Sequence, residues 1–436
     1  MITPMDRRRF LLTSGLALLA TQLDVSAVEK PPLGAKIKRV LFLGDSITYS
    51  GQYVDYVEAA WRTRFPESQV DFLDLGLPSE TVSGLSEPGH AGGKFPRPDL
   101  HERLDRVLAQ VKPDLVIACY GMNDGIYHPF SEERMAAHQK GILKLREKVQ
   151  AAGAKIIHLT PPVFDPQPIK AKTLPAGRDV YEQPYVGYDE VLTKFSEWLL
   201  SMRKSGWEVY DIHGPMLKHL ETRRKTTPEF TFAKDGVHAD ATGHWLMAQA
   251  LLQGWKLKPD VEIFSIDASS ARTLGGNASA VNAGSAVLVF QETVHPAQPY
   301  DTKWNTESMV LERFAERTAT RELRVLGLST GQYHLKEDDK IITTASAKEL
   351  AKGVALDRLV NTSLQKNQAE LLKLISQRRK LLSDAWLTAT GHQRPGMAKG
   401  LPLAEAESKA MELGVQIMKL TRPITMKLTL VAEVAK

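Results

Sequence analysis

Cysteine is almost missing from this chain. Cys119 stands alone in 436 residues, which excludes an intramolecular disulfide and any metal site built on thiolates. Set in an apolar run, it reads as a small buried residue rather than a reactive thiol. Charge of one sign is scarce as well. Of the formal excess of +5, the first 27 residues, with three Arg and two Asp, carry +1, leaving +4 for the rest. No long basic run accompanies so small an excess, so no nucleic-acid partner is expected. The apolar stretch Leu11 to Ala20 is too short and too interrupted for a stable bilayer anchor, so no membrane span is expected after processing. His90, His128, His213 and His244 lack the His-x-x-x-His or Glu-rich spacing of a metal site, and neither metal nor cofactor is expected. No internal repeat is evident.

What is present begins with an export pattern. Arg7-Arg8-Arg9-Phe10-Leu11 resembles a twin-arginine signal, and Val25-Ser26-Ala27 offers small residues for cleavage, so 1–27 are expected to be a signal peptide and the protein periplasmic or extracellular. A general-secretion signal or an uncleaved anchor stays open beside it.

From Lys38 onward, short apolar runs alternate with helix-compatible stretches. The runs are Arg39 to Leu43, Val70 to Leu75, Asp114 to Tyr120, Lys155 to Leu159 and Glu208 to Ile212. Between them Tyr53 to Arg64, Leu100 to Val111, Ser131 to Ala152 and Asp189 to Lys204 suit helices. In the second, Leu100, Leu104, Val107, Leu108 and Val111 form one apolar stripe. Such alternation predicts a parallel sheet covered on both faces, an αβα sandwich of five strands in flavodoxin-like order.

Three segments on that frame carry chemistry: Gly44-Asp45-Ser46-Ile47-Thr48, Gly121-Met122-Asn123-Asp124 and Asp235-Gly236-Val237-His238. The first two each follow a predicted strand, so Ser46 and Asn123 should emerge at the carboxyl edge of the sheet, where open α/β sheets place ligands. Together the segments supply a nucleophile (Ser46), a neutral donor (Asn123) and a base with its orienter (His238 and Asp235), the parts that acyl transfer through a serine needs. Taken singly, Ser46 reads equally as a helix cap and His238 as a satisfied polar residue; their order on the alternating pattern favours catalysis. Asp45 and Asp124 read as turn and scaffold residues.

These segments resemble the blocks of the SGNH/GDSL hydrolase family: Gly44-Asp45-Ser46, then Gly76 in Asp74-Leu75-Gly76-Leu77, then Gly121 to Asp124, and last Asp235 to His238. Asp74 departs from the pattern, since many members have Asn there. The resemblance covers roughly Lys36 to Leu257. It implies an SGNH fold, a serine esterase with Ser46, Asp235 and His238 as the triad, and an oxyanion hole from the Ser46 and Gly76 backbone N–H groups and the Asn123 amide. It says nothing of the rest.

Two long loops, Pro78 to Pro98 with His90, Gly92, Gly93, Lys94 and Arg97, and Pro161 to Tyr188 with Phe164, Tyr181, Tyr185 and Tyr188, are expected to form the substrate rim. A rim of Tyr, His and Arg would suit a sugar, so the expected substrate is a small acyl ester, such as acetyl, on carbohydrate. A lipase or simple-ester hydrolase, and a non-catalytic glycan-binding protein on the same fold, are the alternatives. The expected organisation is a signal at 1–27, a hydrolase domain at 36–258 and an accessory region at 259–436. In that region Asp267 to Ser285 reads as a connector or hairpin, Val287 to Phe290 and Glu322 to Leu328 as strands, Leu328 to Leu335 as strand, turn, strand, and Ala347 to Val354 as a short helix. Asn361 to Asp384 and Leu403 to Leu420 read as long helices closing it. The region is expected either to pack on the hydrolase or to bind a polysaccharide or partner in its own right, and a chain cut at about Lys258 would reveal the latter by retained chemistry with reduced binding to polymer.

Overall fold

The computed structural model describes residues 31–178, 182–276, 279–284, 287–314, 318 and 320–433. The expected signal at 1–27 and Tyr181 lie outside these. No helix among the described residues is long and apolar enough to cross a membrane.

Apolar residues on both faces make the first run a central strand. In β1 (Arg39–Gly44), Val40 and Phe42 enter one core while Leu41 and Leu43 enter the other, as the period of two requires. With β2 (Asp71–Asp74), β3 (Leu115–Cys119), β4 (Lys155–Leu159) and β5 (Glu208–Tyr210) it forms a parallel sheet of order β2-β1-β3-β4-β5. This is the flavodoxin-like order. The helices are α1 (Ser46–Ser50), α2 (Gln52–Arg64), α3 (Leu100–Val111), α4 (Glu132–Ala151), α5 (Tyr188–Ser201), α6 (His213–Arg224) and α7 (Ala241–Gly254). One core takes apolar residues of α2, α6 and α7; the other takes those of α3 and α4. Asp240 caps α7 by accepting from Thr242 and Gly243 N–H, and Ser131 caps α4. Helix α6 was not legible: in His-Gly-Pro-Met-Leu-Lys-His-Leu only Met216 and Leu220 mark an apolar face.

Beyond α7, the chain builds two further sheets. One joins β6 (Val261–Asp267), β7 (Arg272–Gly275), β10 (Thr320–Leu326) and β13 (Val354–Ala355) in the order β13-β10-β6-β7. The other joins β8 (Ser279–Gly284), β9 (Val287–Val294), β11 (Gln332–Glu337), β12 (Lys340–Ser346) and β14 (Ile424–Ala432) in the order β12-β11-β14-β9-β8. They share a core of Phe264, Ile266, Leu323, Val325, Phe290, Leu335, Met426, Leu428 and Leu430. The region also holds α8 (Thr306–Leu311), α9 (Ala347–Lys352), α10 (Ser363–Thr390) and α11 (Leu403–Leu420).

Two expectations are corrected. Leu328 to Leu335 is not a hairpin, because β10 and β11 belong to different sheets; the hairpin is β11 with β12. The helical pair does not close the chain either, since β14 returns between β11 and β9, placing Met426, Leu428 and Leu430 inward by strict alternation.

The cores do not divide at residue 258. Trp304, Met309 and Phe314 join the first core of the αβα unit, where the Trp304 ring lies 5.4 Å from Trp245 and 5.1 Å from Tyr56. Leu382, Trp386 and Leu387 of α10 and Ala410 of α11 join the second.

Candidate active site

Strand β1 ends at Gly44, where a Cβ would stand 2.1 Å from Thr48 Oγ1 and 2.7 Å from the Cys119 carbonyl. Only glycine passes there, and the chain turns straight into α1. Asp45 caps that turn by accepting from Ile47 N–H at 2.9 Å. Burial raises the Asp45 carboxyl to about 7, with the Ile47 bond and His238 opposing. Ser46 opens α1, and its Oγ lies 2.8 Å from His238 Nε2.

His238 and Asp235 are brought together locally. Asp235 Oδ1 accepts from the N–H groups of Val237 (3.0 Å) and His238 (2.8 Å), while Oδ2 accepts from the His238 Nδ1–H at 2.6 Å. Burial works against the ionised Asp235, but these bonds outweigh it and bring the carboxyl down to about 2. The same bond to Asp235 raises His238, against the opposing pull of burial. A residue not legible in the sequence braces this loop: Asp165, fully buried, binds Arg224 at 2.8 and 2.7 Å and takes the Thr231 hydroxyl, and its N–H meets the Gly236 carbonyl.

Asn123 emerges beyond β3 with its amide fixed from both ends. Its Oδ1 accepts from Arg97 (2.9 Å) and from the Tyr127 hydroxyl (3.1 Å), so Nδ2 is turned away; one of its protons meets the Glu80 carbonyl at 3.1 Å, and the amide has a second to give. Arg97 is itself held by Glu87 through two 2.6 Å bonds, both side chains being buried. Gly76 lies against α1, where a Cβ would be 2.3 Å from Tyr49 N. Its N–H donates to Asp74 Oδ1 at 2.9 Å, so the amide is directed into its own turn.

Several residues expected on the rim are instead structural. Arg97 and His90 are buried around Glu87. Phe164 and Tyr188 are also buried; with Tyr127 they form an aromatic cluster behind Asn123, and the Tyr188 hydroxyl donates to the Met122 carbonyl. Gly92, Gly93 and Lys94 are exposed and Tyr185 is half-buried. Asp124 anchors the other loop by accepting from Val82 (3.0 Å) and Ser83 (2.7 Å) N–H. His213 and His244 are buried: His213 sits by Thr193 and Pro161, and His244 by Ser50 and Tyr53. His128 meets the Arg178 carbonyl, and Cys119 is buried in β3.

Residues 42–246 match the family model described as GDSL-like Lipase/Acylhydrolase family. No curated protein matches the chain. Among solved structures, a gut microbial diltiazem-metabolizing enzyme is similar at 19% identity and a TM-score of 0.68, with 91% of this chain and 98% of that one covered. That likeness of fold extends through the region after α7. A catalytic mutant of an acetylxylan esterase from Geobacillus stearothermophilus matches at 20% identity over 51% of this chain and 95% of its own, with a TM-score of 0.37. A psychrotrophic esterase from Pseudoalteromonas sp. matches at 18% identity over 50% and 97%, with a TM-score of 0.33.

Proposed function

Through residues 42–246 this chain belongs to the GDSL-like lipase/acylhydrolase family, carboxylic-ester hydrolases, and on that premise we propose that it removes small acyl groups, acetyl first, from carbohydrate through an acyl-enzyme on Ser46. Ser46 Oγ attacks the ester carbonyl as His238 Nε2 takes its proton. Asp235 holds the imidazole's other N–H, fixes the tautomer and stabilises the imidazolium. Charge on the former carbonyl oxygen is met by the Ser46 N–H and the free Asn123 amide proton, with the Gly76 N–H a third donor if it turns from Asp74. The ester C–O bond then breaks, and the alcohol leaves with the proton from His238. Water, deprotonated by the same imidazole, attacks the acyl-Ser46 ester and releases the acid and free serine.

The observation that carries the substrate class is openness: the side chains of His238 and Asp235 are 44% and 47% exposed. A dyad at the surface admits a bulky polar alcohol and gives little apolar enclosure to a long acyl chain. Acetylated xylan, acetylated monosaccharides, p-nitrophenyl acetate and a long-chain p-nitrophenyl ester, each with wild type and Ser46→Ala, test it. Serine-dependent acetate release from the sugars is expected. Preference for the long chain would favour a lipase, and no turnover above the Ser46→Ala background would favour a glycan-binding protein.

The proposal includes export, supported by Arg7-Arg8-Arg9 and the small residues Val25-Ser26-Ala27. Mass spectrometry of the protein recovered outside the cytoplasm should find an amino terminus near residue 28; an intact Met1 on all recovered protein would overturn cleavage.

A further inference from the structure

Arg379, on α10 in the region after the hydrolase core, is buried directly behind the catalytic turn. Its Nε donates to Asp55 Oδ1 at 2.7 Å and one terminal nitrogen to Asp55 Oδ2 at 3.3 Å. That same nitrogen meets the Ser50 carbonyl at 3.1 Å, while the other reaches the Tyr49 carbonyl at 3.4 Å and Asp74 Oδ2 at 3.2 Å. Gly51, at φ +72°, makes room: a Cβ there would be 2.0 Å from the guanidinium carbon.

Each contact bears on the chemistry. Tyr49 and Ser50 end the five-residue helix that Ser46 begins, and a helix so short leaves its last carbonyls without partners of its own. A cation at that end satisfies them and favours the helix dipole. Asp74 is the carboxylate whose other oxygen holds the Gly76 N–H. Asp55 lies in the first turn of the following helix. One rigid guanidinium fork therefore ties the end of the Ser46 helix to the Gly76 turn, as a single ammonium could not. Burial raises both Asp55 and Asp74 to about 6 even against Arg379, so neither is an ion that would stand there alone.

We propose that Arg379 is a positioning residue for the Ser46 centre, supplied by the region after residue 258, so that the hydrolase core is not catalytically complete without α10. This rests on the serine-esterase reading. Its neighbour Arg378 provides the control: it helps dock the same helix but pairs with Glu58 and Asp71, away from the Ser46 and Gly76 turns.

The experiment measures kcat and KM on p-nitrophenyl acetate for full-length Arg379→Met, Arg379→Lys, Arg378→Met, Asp74→Asn and the Asp74→Asn/Arg379→Met pair, with a thermal transition for each. Arg379→Met is expected to lower kcat roughly 10- to 100-fold with KM little changed, since displacements well under 1 Å act on the chemical step. Arg378→Met is expected to lower the thermal transition, since it leaves the buried Glu58 with one cation fewer, but to keep kcat within about twofold of wild type, because Glu58 in α2 and Asp71 at the start of β2 lie outside the Ser46 and Gly76 turns. In the Asp74→Asn background the Arg379→Met loss should shrink, because an asparagine oxygen accepts from Gly76 N–H without needing a cation. A folded Arg379→Met with wild-type kcat, an equal loss in Arg378→Met, or strictly additive losses would overturn the assignment. Should Arg379→Met fail to fold, Arg379→Lys decides: lowered kcat supports it, wild-type kcat overturns it. Absence of Ser46-dependent turnover in the wild type would instead bring down the esterase reading, and this inference with it.

Discussion

At the scale of single residues, the proposed mechanism divides the site into groups that react and groups that hold them. Ser46→Ala should cost at least about 10³-fold in kcat, since nothing else at the site can form the acyl ester. Asn123→Ala should cost roughly 10²- to 10³-fold with a smaller change in KM, because its donor meets charge that exists only in the transition state. The pH profile has a definite sign. His238 must be neutral to accept the Ser46 proton; Asp235, and with it Asp45, favours the imidazolium and raises its pKa, so the acid limb of kcat/KM should lie above the ordinary histidine value and activity should fall as pH drops through it. Asp45→Asn preserves the cap on α1 and removes that charge, so the limb should move to lower pH; an unmoved limb in a pH–rate profile would show that Asp45 does not act on His238.

At the scale of elements, strand ends and turns that the sequence placed are joined by contacts it did not announce. The run before Gly44, the stripe of α3 and the Ser131 start of α4 were readable because each signal is local. Arg97 and Glu87 were not: ten residues apart in a loop, they meet only because the folded loop brings both under Asn123. Tyr127→Phe, which removes one hydrogen bond to Asn123 and keeps the ring on Tyr188, should lower kcat about three- to tenfold and leave KM nearly unchanged. Arg97→Met should cost about 3–5 kcal/mol of stability, read by denaturant titration, because Glu87 is left buried without its cation. Weak apolar periodicity hid α6, while β14 did carry its alternation and was obscured by the two helices ahead of it.

At the scale of the whole molecule, the region after α7 stands as part of the hydrolase rather than beside it. Trp304 and Trp386 sit in the two hydrolase cores, and Arg106 of α3 donates to the Thr390 carbonyl at the end of α10. Trp304→Ala should therefore destabilise the Ser46 domain by about 3–5 kcal/mol, the cost of emptying a buried Trp site, despite lying well outside residues 42–246. A chain cut at about Lys258 would expose both cores and strand Asp55 and Asp74 without Arg379. Soluble, fully active protein from that truncation, measured by p-nitrophenyl acetate hydrolysis, would contradict this and favour the alternative of an accessory region that binds something in its own right.

By itself the sequence determined the parallel sheet, its strand order and the three segments that carry Ser46, Asn123, Asp235 and His238. Strand periodicity, the requirement for glycine at a sharp strand exit and an Asp three residues before a His are all written within a few positions. Only the tertiary structure decided what surrounds them. It turned Arg97, Phe164 and Tyr188 from rim into support, directed the Gly76 amide into Asp74, and brought Arg379 across more than 300 residues to the back of the catalytic turn. Buried charge is satisfied by whichever partner the fold delivers, and no local pattern names that partner in advance.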